Sequence, residues 1–125
     1  MNIKEIEDIV KKAYPKIVKD LGIGKRGIPE IELHVDIYAR LSGDPKSRGE
    51  GSKTTKAEFD YDKIYIYHPN MKTEEDVLRS LLHEHKHTLQ DRSKEKEYRA
   101  RGYDNNPHEI EARKVERLWR KYKRR

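Results

Sequence analysis

The apolar residues of this chain are few and strictly patterned, and that pattern limits what it can fold into. Ile3, Ile6, Val10, Ala13, Tyr14, Ile17 and Leu21 recur at helical spacing. Val77, Leu78, Leu81, Leu82 and Leu89 form a second stripe of the same kind. Ile110, Ala112, Val115, Leu118, Trp119 and Tyr122 form a third. Between the first two, Ile31, Leu33, Val35 and Ile37 alternate with Glu32, His34, Asp36 and Tyr38, the period of a half-buried strand. Residues 56–67 read as strand, turn and strand, with strands at 57–59 and 64–67 and a turn at 60–63. The order is helix, three short strands, helix, helix. An α+β fold in a single domain spanning residues 1–125 is expected, with no internal repeat.

Punctuation supports these elements. Asn2 with Glu5 resembles a capping box, and Gly22 and Gly24 close the helix that follows. Pro15 should kink that helix or restart it. Residues 41–53 hold three Gly and one Pro and read as a loop. His68, Pro69 and Asn70 close the last strand, and Thr73 with Asp76 opens the second helix. The charged residues 91–104 are expected to finish that helix before a turn at Gly102. Asn106 and Pro107 then serve as cap and first residue of a third.

Hydrophobic residues make up only 33% of the 125 and charged ones 42%, so one modest core under a charged surface is expected. Mean hydropathy is −1.20. Cysteine is absent, which excludes disulfides and thiolate chemistry and leaves His, Asp and Glu as metal donors. No apolar run approaches the length of a transmembrane helix. Residues 1–10 are amphipathic and acidic rather than signal-like, so a cytoplasmic protein without a membrane partner is the expectation. Residues 113–125 hold eight Lys/Arg and one Glu, a net +7; the other 112 hold 21 Lys/Arg and 22 Asp/Glu, a net −1. This basic end suits nucleic acid or another acidic partner, and it equally suits the carbonyl end of a helix.

Residues 83–87 read His-Glu-His-Lys-His and fit H-E-x-x-H. Four residues on a helix are one turn and a little more, so His83 and His87 leave the same side and can meet one ion. That side lies opposite the leucines of the stripe. Glu84 stands beside the pair, placed to act as general base on a water that the ion acidifies. Zinc takes neutral imidazoles, and three protein ligands leave a fourth position for water. His85 falls on the leucine face and reads as a structural core histidine.

A third ligand is needed, and residues 106–112 (Asn-Pro-His-Glu-Ile-Glu-Ala) offer three candidates. On a helical wheel Glu111 lies nearer the Val115–Trp119 stripe than Glu109 does. Glu109 could instead be the capping partner of Asn106. His108, at the second helical position, is placed towards solvent.

Residues 81–90 (Leu-Leu-His-Glu-His-Lys-His-Thr-Leu-Gln), followed by residues 106–112, resemble small zinc metallopeptidases of the gluzincin type. The likeness is closest to the single-domain minigluzincins and to phage-type metallopeptidases. Residues 67–73 (Tyr-His-Pro-Asn-Met-Lys-Thr) add to it, and it covers about residues 57–119. The resemblance implies a zincin-like domain with an N-terminal helix, a small three-stranded sheet, an active-site helix and a C-terminal glutamate helix. It implies Zn²⁺ held by His83, His87 and Glu109, because Glu109 is followed three residues later by the small Ala112 whereas Glu111 is followed by Lys114. It implies Glu84 as the catalytic base. Where many relatives place an Asp that supports a ligand His, this chain has Arg113; Glu116 or a backbone carbonyl could take that part. The last strand before the motif helix, within residues 56–67, would be the cleft edge that pairs with an extended substrate. Tyr103 is the candidate oxyanion stabiliser.

The leading expectation is therefore a zinc-dependent metallopeptidase acting on a peptide or protein substrate. The alternatives are a nucleic-acid-associated protein with a structural or latent zinc site and a basic C-terminal helix, and an inactive zincin that serves as a binding module.

Overall fold

Around the H-E-x-x-H helix the other elements are arranged in turn. The computed structural model describes residues 1–34, 55–60 and 62–124. Among them are four α-helices: α1 (Ile3–Leu21), α2 (Glu74–Leu89), α3 (Glu95–Arg99) and α4 (Pro107–Val115). Three strands, β1 (Glu30–His34), β2 (Ala57–Asp60) and β3 (Lys63–Tyr67), form one sheet in the order β1-β3-β2. The architecture is α+β, as expected. Val35, Ile37 and the expected loop at 41–53 lie outside the described residues. No helix among the described residues is long and apolar enough to cross a membrane.

Helix α1 starts where Asn2 Oδ1 accepts the Glu5 amide at 2.8 Å, which is the forward half of the expected capping box. Pro15 neither divides nor restarts it. The proline is on the exposed side, where water can satisfy the carbonyl that its ring leaves without a partner. Gly22 ends the helix at φ 98°, a conformation that favours glycine, and its amide donates to Val18 O at 2.8 Å. A tight turn follows, with the Gly27 amide on Gly24 O at 3.0 Å. Gly24 lies against the last turn of α2, where a Cβ would sit 2.3 Å from Thr88 O. Only glycine permits that approach.

In the sheet, β1 runs parallel to β3 and sets Ile31 opposite Ile64 and Leu33 opposite Ile66. Strand β2 runs antiparallel and sets Ala57 opposite Ile66 and Phe59 opposite Ile64. These side chains share one face. Ile64 and Ile66 are fully buried there with Ile6, Ile9 and Ile17 of α1 and Val77, Leu78, Leu81 and Leu82 of α2. Burying each such side chain contributes about 1.5–3 kcal/mol against the entropy of ordering it. The central position of β3 corrects one expectation. The last strand before the motif helix has neighbours on both sides, and among the described residues the edge along the cleft belongs to β2.

A reciprocal box opens α2: Thr73 Oγ1 accepts the Asp76 amide at 3.1 Å, and Asp76 Oδ2 accepts the Thr73 amide at 3.2 Å. Residues 91–104 do not continue this helix. It stops at Leu89, and Gln90 turns extended at φ −85°, ψ 145°. Asp91 then caps a 3₁₀ turn at Arg92–Lys94 by accepting the Ser93 amide at 2.9 Å, and the short α3 follows. This stretch has no apolar stripe that could pay for a longer helix.

Asn106 and Pro107 open α4 as expected, with Asn106 Oδ1 accepting the His108 amide at 2.9 Å. The third stripe is not one α-helix, however. After Val115 the chain tightens into a 3₁₀ helix, Glu116–Tyr122. Tyr122 is buried in the core, and its hydroxyl donates to Asp20 at 2.7 Å. Lys121 also reaches Asp20, at 3.0 Å, and the Arg124 guanidinium reaches Asp8 at 3.0 Å and Glu74 at 3.2 Å. Part of the basic end thus clasps acidic residues of α1 and α2.

Candidate metal centre

Helix α2 buries its leucines and turns His83 and His87 to the other side, towards α4. The two imidazoles stand 4.9 Å apart, ring centre to ring centre. Glu109, on the first turn of α4, lies between them. Its carboxylate is 3.0 Å from His83 Nε2 and 3.1 Å from His87 Nε2. These three residues form the group, among the described residues, that could hold a metal ion. One donor atom from each residue lies within 4.8 Å of the others; the edges of a tetrahedral site with bonds of ~2.05 Å are roughly 3.3 Å, so small side-chain adjustments bring the three to the spacing that zinc requires.

The far side of each imidazole is held as well. His83 Nδ1 lies 2.7 Å from Glu116 Oε2, at the start of the 3₁₀ helix. His87 Nδ1 lies 2.7 Å from Gln90 Oε1, and Gln90 Nε2 donates to His108 O at 2.8 Å. Each ring can therefore donate Nδ1–H outward and aim Nε2 at Glu109. Such partners fix ring orientation at metal sites. Glu116, one expected substitute for the missing Asp, stands where that part requires. Gln90 is the residue of this group that the H-E-x-x-H pattern does not single out. Its signal was its position three residues after His87, within reach at the end of a helix.

The other candidates are elsewhere. Glu111 is 52% exposed at its side chain and faces Lys86 at 3.7 Å, so the wheel that favoured it is corrected. His108 packs its ring edge-on to Tyr98 at 4.8 Å. Glu109 does not reach back to its cap; its carboxylate is spent on the two imidazoles. His85 is wholly buried, as read, with Tyr14 Oη 2.7 Å from Nδ1 and Gly22 O 2.8 Å from Nε2. The phenol donates to Nδ1 and Nε2–H donates to the carbonyl, so burial leaves this imidazole neutral, with its pKa lowered.

Electrostatics follow from the packing. Burial works against a charged His83, but the Glu109 and Glu116 carboxylates outweigh it and push the imidazole up to about 10. His87 is raised as well, because Glu109 overcomes the same burial. Glu109 is held well below the carboxylate range: burial alone would raise it, and the two imidazoles prevail. Without an ion the two imidazoles and the carboxylate satisfy one another, and a divalent ion would take the place of the protons on the two Nε2 atoms. Glu84 is 8% exposed, and burial raises its carboxyl, with His83 and His87 acting against that.

His83, Glu84, His87, Glu109 and Tyr103 line one open cavity of about 420 Å³, with β2 forming its opposite wall. Tyr103 comes from the turn before α4, as expected, with the Arg113 guanidinium 5.0 Å from its ring centre. Burial first, then Glu109, raises its phenol, which stays a hydrogen-bond donor at neutral pH.

Comparison of this chain with protein-family models, with curated proteins and with solved structures finds no match.

Proposed function

We propose that this chain is a zinc-dependent metallopeptidase with a zincin-like fold. The observation that carries the reading is the convergence of His83 Nε2, His87 Nε2 and the Glu109 carboxylate, with Glu84 buried beside them. Two imidazoles and one carboxylate, with Nδ1 of both rings engaged elsewhere, are a donor set suited to zinc in a site left open for catalysis. Bound there, zinc supplies a Lewis acid that polarises a carbonyl and brings the pKa of water towards neutrality.

The chain's own residues do the rest. Glu84 takes a proton from the attacking water and returns it to the leaving amine nitrogen, so one water adds across one amide bond. Its buried, upward-shifted carboxyl suits both acceptance and return of that proton. Tyr103 donates to the oxygen on which negative charge develops. Among the described residues no strand pairs with the far edge of β2, and that edge offers backbone groups to an extended peptide, which favours affinity over side-chain choice.

The test is metal content and peptide cleavage measured together. The purified chain should hold about one zinc, and His87→Ala should lose it. Glu84→Gln should keep the zinc and lose cleavage. Cleavage that survives in Glu84→Gln would remove the general-base role. A chain that takes up no zinc even when it is added would remove the whole reading.

A further inference from the structure

The two ends of the cleft differ in charge. Strand β2 runs along it, with Ala57 at one end and Phe59 at the other. At the Ala57 end the cations are matched. Lys56 is paired with Asp76 at 2.9 Å, and Arg79 with Glu75 at 2.7 Å and Glu116 at 3.7 Å. At the Phe59 end, past His87 and Gln90, a cavity of about 340 Å³ is lined by Lys25, Arg26 and Arg92. Its one carboxylate, Asp91, is occupied in capping the next turn, where it accepts from the amide and hydroxyl of Ser93. Arg99 borders the adjoining space and is paired with Glu95 at 2.9 Å.

Arg92 is the cation to watch. Its guanidinium carbon lies over the Phe59 ring, 5.2 Å from the centre, which fixes the head group at the cleft wall. Among the described residues it has no carboxylate within salt-bridge distance; Lys25 faces Asp91, whose carboxyl the Ser93 hydrogen bonds and, more weakly, Lys25 hold below its ordinary value. Lys25 and Arg26 are the two residues between Gly24 and Gly27, and the close approach of Gly24 to Thr88 brings this turn to the end of α2. The turn is thereby built against the site.

We propose that this end of the cleft is a carboxylate subsite, in which Arg92, with Lys25 beside it, recognises an acidic group of the peptide within about two residues of the bond cleaved. The inference rests on the peptidase reading. An extended chain advances about 3.3 Å per residue, so a peptide lying along β2 and crossing His83 and His87 brings a neighbouring residue to Phe59 and Arg92. The guanidinium fork suits a carboxylate by two parallel hydrogen bonds. The carboxylate could be an Asp or Glu side chain or a free C-terminus.

A randomised peptide pool, offered to the zinc-loaded chain both with free and with amidated C-termini, decides this. Enrichment of Asp and Glu over Asn and Gln by about tenfold at one position near the cleaved bond is expected for a side-chain source. Loss of cleavage on amidation, with cuts confined to the last two residues, identifies the terminal carboxylate; either result supports the subsite. Arg92→Glu should then shift the preference towards Lys and Arg. Lys25→Glu, on the exposed turn, should weaken the acidic preference in the same direction. A pool cut with no acidic preference, or a preference unchanged in Arg92→Glu, overturns the subsite and leaves the peptidase reading standing. A pool in which nothing is cut overturns both.

Discussion

His83 Nδ1 lies 2.7 Å from Glu116 Oε2, although the two residues are 33 positions apart and Glu116 begins a different helix. The contact fixes which nitrogen of His83 is left for a metal. Glu116→Ala should therefore weaken zinc binding by roughly 10–100-fold while the fold is kept. Glu116→Gln, which can still accept from Nδ1–H, should lose less. Competition with a chelator of known affinity measures both, and equal affinity in the alanine variant and the parent would refute the role.

Gln90 makes two bonds at once, one to His87 and one to the carbonyl of His108. Gln90→Ala should lower zinc affinity by about tenfold and also loosen α4. Gln90→Glu separates the two effects, because a carboxylate still accepts from His87 but cannot donate to the His108 carbonyl. Its zinc affinity should stay near that of the parent while unfolding stability drops by about 1 kcal/mol. Chelator competition and urea denaturation of the same samples report the two effects independently.

Tyr14 and His85 form a pair in which each satisfies the other, 71 residues apart and out of contact with water. Tyr14→Phe removes the donor that, among the described residues, serves Nδ1 and leaves a buried acceptor unpaired. It should cost about 1–3 kcal/mol in urea unfolding and leave zinc content unchanged. A variant that unfolds normally but loses zinc would mean that His85 belongs to the metal site after all.

The parts of this structure that were legible in sequence are those governed by a single period. The stripes of α1 and α2 and the alternation of β1 and β3 needed no knowledge of neighbours. H-E-x-x-H was legible for the same reason, since a helix alone brings His83 and His87 together. Glu109 was harder. The wheel that favoured Glu111 was anchored on Trp119, which lies in the 3₁₀ stretch, where each residue turns about 120° instead of 100°. The reference stripe was therefore out of phase with α4. The end of α2 was missed because Gln90 is a good helix former; what turns it out of the helix is a tertiary bond to His108. The charge of residues 113–125 was legible, but not its inward use: Asp8, Asp20 and Glu74 come from two other helices. A zincin-like identity rested on resemblance, and the geometry of three side chains supports it as a proposal.

Asp76 ties the start of α2 to the edge strand. Its carboxylate accepts the amides of Lys72 at 3.0 Å and Thr73 at 3.2 Å and pairs with Lys56 of the chain entering β2 at 2.9 Å. Burial pushes its pKa up, but Lys56 and the two amides outweigh burial and hold it below its ordinary value of 3.8. A carboxylate whose folded pKa is lowered adds stability above its unfolded pKa and loses it as pH falls through the folded one. Asp76→Asn should therefore destabilise the chain by about 1 kcal/mol at pH 7. The difference from the parent should shrink below pH 4, where Asp76 of the unfolded chain is itself protonated. Urea unfolding of both proteins at pH 7 and near pH 3 checks the sign; a gap that widens on acidification would mean that Asp76 is held by something other than its charge.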